Sequence, residues 1–163
     1  MHNDSIEHSQ LTSENKSEER APKVQLFRAG SFHFGVFENE IATIAEWRDP
    51  TPLPHAPESV LGVVSIQGRM LTVLDVSILA GGESVAAYRH IIALRGDEHL
   101  ALAASNLEEI IERASFNSED KTEPAARFVI ETLTHAGVEA KILDVTELFP
   151  AALQGRERRR RRF

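Results

Sequence analysis

Residues 60 to 76 read VLGVVSIQGRMLTVLDV, and this stretch decides the fold. Two apolar runs, 60–66 and 70–76, flank a Gln-Gly-Arg step. Short apolar runs bounded by a glycine turn are typical of buried β-strands. We therefore predict a pair of strands around a sharp turn, with a short helical turn at 58–61 left open.

A weaker copy of this stretch lies near the C-terminus. At an offset of 69 residues, VLDVSIL at 73–79 matches ILDVTEL at 142–148, Val60-Leu61 matches Val129-Ile130, and Gly68 matches Gly137. At an offset of 66, Phe34, Val36, Ile41 and Ile44 match Leu100, Leu102, Leu107 and Ile110. The ordered series indicates two similar β units in tandem, each of about 65 residues. Units this small bury little surface alone, so we expect them to pack on each other, with a groove at the seam.

The other segments also favour strands. We predict hairpins at 24–37 and 88–104, and strands at 107–111, 128–133 and 138–145. The segment 41–47 is a strand candidate, although its apolar residues spaced by three also fit a helix. Four prolines make 49–57 an extended connector. Asp144 with Glu147 resembles a capping box that opens a short helix, which Pro150 is expected to limit.

Composition bounds the class of protein. The chain has 163 residues, is 42% hydrophobic and contains no cysteine. We expect no disulfide, no thiolate metal site, no transmembrane helix and no secretory signal. The predicted organisation is a disordered polar segment at 1–22, a domain at 23–150 with two intertwined β subdomains, and an Arg-rich tail at 151–163.

The net charge of −7 is unevenly distributed. Residues 156–162 contain six arginines and one glutamate, which is +5 and leaves −12 (−7 minus +5) for the remainder. An acidic body argues against nucleic-acid binding. The tail is expected to be a solvated, disordered end, although an anionic surface remains a candidate partner.

No motif indicates catalysis. The seven histidines show no metal-ligand spacing, and the chain has no phosphate-binding loop and no nucleophile elbow. Asp75 and Asp144 each follow a strand, where we expect them to cap the next turn rather than to catalyse. His33 is expected at the surface, and the acidic run of Glu108, Glu109 and Glu112 is expected to be a solvated face. We therefore predict a binding protein without enzymatic activity, cofactor or metal.

At this point the sequence resembles the CheW family of chemotaxis adaptors over residues 24–149. The family motif Gly-Val-x-Asn-Leu-Arg-Gly-x-x-x-Pro-Val-x-Asp-Leu is similar to GVVSIQGRMLTVLDV at 62–76. Other family blocks resemble FRAGSFHFGV at 27–36, IATIAEW at 41–47, TPLP at 51–54 and ILDV at 142–145.

The resemblance implies an all-β fold of two SH3-like five-stranded barrels around a shared core, with short helical segments and disordered termini. It also implies an adaptor that couples methyl-accepting receptors to a CheA-type histidine kinase in the cytoplasm, peripheral to the inner membrane, with no membrane insertion. One surface of the first barrel would dock on the kinase regulatory domain, and a groove between the barrels would take the receptor tip. The implied partner-binding residues are Ile41, Ile44, Glu46, Ser65, Gln67, Gly68 and Arg69. The framework residues are Gly62, Asp75, Gly137 and Asp144.

The chain departs from the family pattern at several positions. Where the family has Asn-Leu-Arg-Gly, this chain has Ser-Ile-Gln-Gly at 65–68, so Gln67 replaces the arginine that contributes to partner contacts. Thr72 replaces the proline, and Glu131 stands at the second-repeat counterpart of Gly62. Glutamine cannot form a charge-assisted bidentate contact, and the direction of nearby Arg69 is left open. The alternative function is a docking module of an accessory pathway, such as surface motility, whose basic tail binds an acidic partner or an anionic membrane.

Overall fold

The computed structural model describes residues 22–83, 87–113 and 126–161, with side chains as far as residue 154. The segment 1–22 that was predicted to be disordered lies outside these ranges except for residue 22. The described strands are β1 Lys23–Ala29, β2 Phe32–Phe37, β3 Ile41–Glu46, β4 Val60–Ile66, β5 Arg69–Leu74, β6 His90–Leu94, β7 Leu100–Ala104, β8 Asn106–Glu112, β9 Val129–His135 and β10 Val138–Leu143. The described helices are α1 Val76–Leu79, α2 Leu148–Arg161 and two 3-10 turns, Glu38–Glu40 and Val145–Glu147.

The strands form two five-stranded mixed sheets, which confirms the predicted strands and hairpins. Sheet A has the order β8-β1-β2-β10-β9, and sheet B has the order β3-β6-β7-β5-β4. Neighbouring strands are antiparallel except β2 with β10 and β5 with β7. The segment 41–46 forms strand β3. Residues 58 and 59 form a turn that leads directly into β4 at Val60, so the short helical turn considered at 58–61 is not formed.

The two sheets exchange strands between the two sequence repeats. The first repeat supplies β1–β5 and the second supplies β6–β10, but each sheet combines the first two strands of one repeat with the last three of the other. The parallel junctions have the same register, because Lys141 opposite Phe34 in sheet A corresponds to Thr72 opposite Leu100 in sheet B. Each sheet is therefore a complete copy of one architecture that is assembled from both halves of the chain.

The repeat also preserves its irregularities. One extra residue lies between Ile41 and Ile44 in β3, and one lies between the equivalent Leu107 and Ile110 in β8. A second bulge occurs at residue 61 in β4 and at the equivalent residue 130 in β9. A bulge bends a strand and re-aims its side chains. Its duplication at matching positions supports the sequence repeat independently of side-chain similarity.

Three apolar clusters form the core. Successive residues of β6 and β7 face opposite sides of sheet B, and almost all of them are buried. Because both sides of these strands are covered, their sequences are nearly continuous apolar runs. The shared cluster lies between the sheets and includes Phe27, Phe34, Leu74, Ile92, Leu102, Leu143 and Leu148. Sheet B encloses its own cluster around Val64, Leu71, Val73, Ile91 and Ala101, and sheet A encloses another around Val24, Leu26, Leu133 and Ile142.

The C-terminal helix is longer than the sequence predicted. Helix α2 begins at Leu148, so Pro150 lies in its first turn, where the missing N–H has no helical acceptor to lose. The helix therefore continues to Arg161, and the expectation that Pro150 limits it was wrong. The buried side chains of Leu148 and Ala152 anchor its first turns in the shared cluster.

Only half of the predicted capping box is formed at Asp144. Its Oδ1 accepts from the N–H of Thr146 at 3.2 Å, as an N-cap does. The Glu147 carboxylate instead pairs with Arg127 at 3.3 Å, and the Asp144 N–H donates to the Phe128 carbonyl at 2.7 Å. Glu147 therefore joins the 3-10 turn to the start of β9 rather than completing the cap.

Candidate docking surface on sheet B

The β4–β5 hairpin presents Gln67 at its tip. Gln67 (φ +50°) and Gly68 (φ +77°) form a two-residue turn between the paired residues Ile66 and Arg69. Two consecutive positive φ values define a type I′ turn, which fits the right-handed twist of a hairpin. The Gln67 side chain is exposed, so the residue that replaces the family arginine is accessible to a partner.

Arg69 turns away from this tip. Its Nη2 donates to the Gly96 carbonyl at 3.3 Å and lies 3.2 Å from His99 Nδ1, both in the β6–β7 turn. Arg69 is half-buried there. In this conformation Arg69 does not take the place of an arginine at position 67.

The predicted residues of β3 are arranged by its bulge. Ile41 lies opposite Leu94 and Ile44 opposite Ile92, so the two isoleucines share one face although they are three residues apart. Ile41 packs against the shared cluster, whereas Ile44 is 37% exposed and Glu46 is exposed at the end of the strand. Ile44 and Glu46 are therefore the accessible members of this group.

Trp47 lies on the opposite face of sheet B. It packs against the cluster enclosed by that sheet and against the ring of Tyr88, with ring centroids 4.7 Å apart. Its Nε1 donates to the Asp49 carboxylate at 3.1 Å. Of the three large apolar side chains in this segment, those of Ile41 and Trp47 therefore pack against the core, and that of Ile44 is accessible.

The predicted residues fall into two groups at the two edges of sheet B. β3 carries Ile41, Ile44 and Glu46, while the β4–β5 hairpin carries Ser65, Gln67, Gly68 and Arg69. The segment that follows β3 connects the edges. Arg48 Nη1 donates to the Ser65 carbonyl at 3.0 Å, and Thr51 and Val63 exchange two N–H···O bonds of 2.9 Å.

Met70 also lies on this surface, although it was not among the predicted residues. Met70 pairs with Ser65 across the hairpin and is 64% exposed. The run 70–76 was treated as uniformly buried, but alternation along β5 sends Leu71 and Val73 into the core of sheet B and Met70 outward at the hairpin end. Strand periodicity was the signal that could have found it.

Glu131 differs from its counterpart Gly62 because the two edge strands of sheet A are joined in a different way from those of sheet B. Glu131 forms a bidentate ion pair with Arg113, at 2.6 Å from Nε and 2.7 Å from Nη2, which joins the end of β8 to β9. At the equivalent Gly62, a Cβ would lie 2.3 Å from the Thr51 carbonyl oxygen, because the connector passes directly over β4. Gly62 therefore leaves room for the connector to cross β4, whereas Glu131 forms an ion pair at the equivalent position of sheet A.

Histidines partner the acidic run on β8. His33 Nδ1 lies 2.8 Å from the Glu108 carboxylate, and His135 Nε2 lies 3.0 Å from Glu109. His33 and Glu108 are half-buried, whereas Glu109 and Glu112 are exposed, as expected for a solvated face. The strand exchange brings the two histidines to this face because it places β2 and β9 in the same sheet as β8.

The two repeated aspartates cap turns in different environments. Asp75 is fully buried, and its Oδ1 accepts from the N–H of Ser77 at 2.9 Å and the Ser77 hydroxyl at 2.5 Å. Its Oδ2 accepts from the Tyr88 hydroxyl. Among the described residues, Asp144 accepts from the N–H and the hydroxyl of Thr146, and it is partly exposed. Asp75 therefore ties α1 to the segment that leads into β6.

Glu40 lies where the chain passes from sheet A to sheet B. Burial raises the pKa of its carboxyl group, and the nearby Asp144 charge raises it further. Its Oε2 is buried with no hydrogen-bond partner among the described residues. Because the folded-state pKa is raised, the contribution of Glu40 to stability is fully present at low pH and is lost as the pH rises through that pKa.

Within the described ranges, no three His, Asp or Glu side chains are grouped to hold a metal ion. None of the described helices is both long and apolar enough to cross a membrane.

Comparisons with known proteins cover most of the described fold. Residues 23–153 match the family model described as a CheW-like domain. Over 67 residues the chain is 37% identical to the chemotaxis protein CheW of Rhizobium meliloti (strain 1021) and 31% identical to a probable chemotaxis protein CheW of Rhizobium etli. Each alignment covers 40% of this chain and 43% of the relative, which is less than half of either relative.

A solved structure shares the fold. The scaffolding protein TtCheW from Thermoanaerobacter tengcongensis matches with a TM-score of 0.67 at 17% identity, over 79% of this chain and 88% of that chain. Together with the two five-stranded sheets, this likeness confirms the predicted fold class.

Proposed function

Because the chain belongs to the family of CheW-like domains, we propose that it couples methyl-accepting chemoreceptors to a CheA-type histidine kinase in bacterial chemosensory signalling. The family is a scaffolding family without catalysis, as expected from the sequence. The observation that carries the proposal is the family match at 23–153, which contains both sheets and the start of α2. The protein would act in the cytoplasm, held near the inner membrane through receptor arrays.

The docking surface in this proposal is on sheet B. Ile44, Met70 and the hairpin tip at Gln67 are exposed, and Glu46 adds a charge at the end of β3. Exposed apolar residues on a rigid sheet can serve as anchors for an amphipathic helix such as a receptor tip. Polar contacts from the hairpin would then select the partner. Signalling would follow from contacts that differ between two states of the kinase.

Replacing Ile44 with alanine tests this surface. We expect at least a tenfold rise in Kd, or about 1.4 kcal/mol, for the receptor tip or the kinase regulatory domain, since an anchor side chain is lost. Isothermal titration calorimetry with each purified partner measures it. The matched control is Ile110→Ala, at the equivalent position of sheet A, where the side chain is 52% exposed. Binding of neither partner by the unaltered protein would refute the adaptor function, and equal losses in both variants would refute the surface.

Replacing Gln67 with arginine restores the residue of the family motif. An arginine at the exposed tip can make a charge-assisted bidentate contact, so we expect binding to a CheA-type regulatory domain to tighten by about three- to tenfold. Ala136→Arg is the control, because Ala136 and Gly137 form the same type of turn in sheet A. Weaker binding by Gln67→Arg would indicate that this chain uses the glutamine for a different partner.

A second candidate function is the docking module of an accessory pathway. The observation that favours it is that helix α2 continues through the Arg-rich segment as far as Arg161. In this case the body would still bind a kinase, and the basic segment would determine localisation. Deleting residues 156–163 should leave kinase binding unchanged and disperse the protein in cells. Unchanged localisation would reject this candidate.

A further inference from the structure

Helix α2 has one buried face and one exposed apolar face. Leu148 and Ala152 are buried in the shared cluster. Phe149 and Leu153 are 40% and 43% exposed, and their spacing of four residues places them on one side of the helix. The exposed side of the first turns of α2 therefore carries two large apolar side chains.

The same side of the helix continues into the Arg-rich segment. Positions 149, 153, 156 and 160 follow the spacing of a single helical face, and 156 and 160 are arginines. Arginines also occupy 158, 159 and 161. A helical face that is apolar at one end and basic at the other suits the boundary between lipid chains and anionic headgroups.

The acidic body does not cancel this basic charge. At a rise of 1.5 Å per residue, residues 156–161 lie about 12 to 20 Å along the axis from Leu148. The Debye length at physiological ionic strength is about 8 Å, so only acidic groups within about that distance oppose the local charge of residues 156–161, which are five arginines and one glutamate. The arginines therefore keep a positive local potential although the chain has a net charge of −7.

The distribution of the arginines favours a lipid surface over a protein groove. Arginine occupies five of the six positions from 156 to 161, so the helical spacing does not confine these residues to one face. A groove on a protein binds a helix through anchor residues on one face of the helix. An anionic membrane instead attracts every basic residue that lies near its surface. We propose that α2 is a peripheral anchor that lies on anionic phospholipid, with Phe149 and Leu153 at the headgroup boundary. This inference rests on the second candidate function and is independent of kinase binding.

Vesicle flotation of the full chain tests the proposal. The probes are phosphatidylcholine vesicles with and without about one third phosphatidylglycerol. We expect at least about tenfold stronger partitioning onto the anionic vesicles at 0.1 M salt, and loss of most of that preference at 0.5 M salt. Arg159→Gln, Arg160→Gln and Arg161→Gln together should weaken anionic binding about tenfold or more. Phe149→Ala with Leu153→Ala should weaken it several-fold.

The matched control removes the same charge from the body. Lys23→Gln, Arg28→Gln and Arg89→Gln alter three exposed cations outside α2 and should change partitioning less than about twofold. Equal losses in the two triple variants, or no preference for anionic vesicles, would overturn the proposal. A fluorescent polyglutamate peptide gives the remaining outcome, because peptide binding without vesicle binding would assign α2 to an acidic protein partner.

Discussion

Replacing Gly62 with alanine is expected to lower the free energy of unfolding by about 4 kcal/mol, the largest effect of any single methyl group on this surface. Gly62 has φ +143°, and its new Cβ would lie 2.3 Å from the Thr51 carbonyl oxygen and 2.7 Å from the carbonyl carbon. Two hydrogen bonds to Val63 hold Thr51 in place, so the clash cannot be relieved by a side-chain rotation. Urea denaturation followed by circular dichroism measures the change.

Gly68→Ala and Gly137→Ala separate the clash from backbone strain. Both glycines have φ +77°, and a Cβ at either position would meet nothing within 4 Å. Each variant should lose only about 1 kcal/mol, the strain of a left-handed alanine. A loss at Gly62 as small as these would show that the connector is not fixed over β4.

Replacing Asp75 with alanine is expected to lower the free energy of unfolding by about 3 kcal/mol. The change removes the acceptor of two bonds from Ser77 and one from Tyr88 in a fully buried site. Asp144→Ala is the matched comparison, because it removes the equivalent cap at a partly exposed site and should cost about 1 kcal/mol.

Tyr88→Phe isolates one of the Asp75 contacts. It removes the hydroxyl but keeps the ring against Trp47, so it should cost about 1 kcal/mol. Thermal or urea unfolding of Asp75→Ala, Asp144→Ala and Tyr88→Phe ranks the three losses in the free energy of unfolding. Equal losses for Asp75→Ala and Asp144→Ala would mean that both aspartates act only as helix caps, and that burial at Asp75 contributes nothing.

The sequence determined the strands more fully than their assembly. Apolar alternation and turn residues locate the hairpins, and the repeat predicts two equivalent units. The same repeat is compatible with two separate sheets or with two that exchange strands, because equivalent strands carry equivalent apolar faces. The pairings that join the two repeats distinguish these arrangements: β1 with β8, β2 with β10, β3 with β6 and β5 with β7. The contact of β2 with β10 joins residues more than a hundred positions apart, and no local pattern encodes it.

The candidate site was predictable at its turn and less so along its edge. Gln67-Gly68 is a recognisable two-residue hairpin turn, and Ile44 follows from the resemblance. The direction of Arg69 depends on acceptors in the β6–β7 turn, which is distant in sequence. The bulge that places Ile41 and Ile44 on one face appears in the sequence as an apolar spacing of three, which a helix fits equally well. Glu131 likewise becomes intelligible only with Arg113 beside it.

The strand exchange also fixes the order in which the chain can fold during synthesis. Sheet B consists of β3–β7 and is continuous from residue 41 to 104, whereas sheet A needs both β1–β2 and β8–β10. At ribosomal rates of about 5–20 residues per second, the 39 residues from 104 to 143 take roughly 2 to 8 s. Until then β8 can pair with β1 from residue 112 onward, but β2 lacks its partner β10 and sheet A is incomplete. The nascent chain is most exposed to aggregation at its N-terminal hairpin, the first element to be made and among the last to be completed.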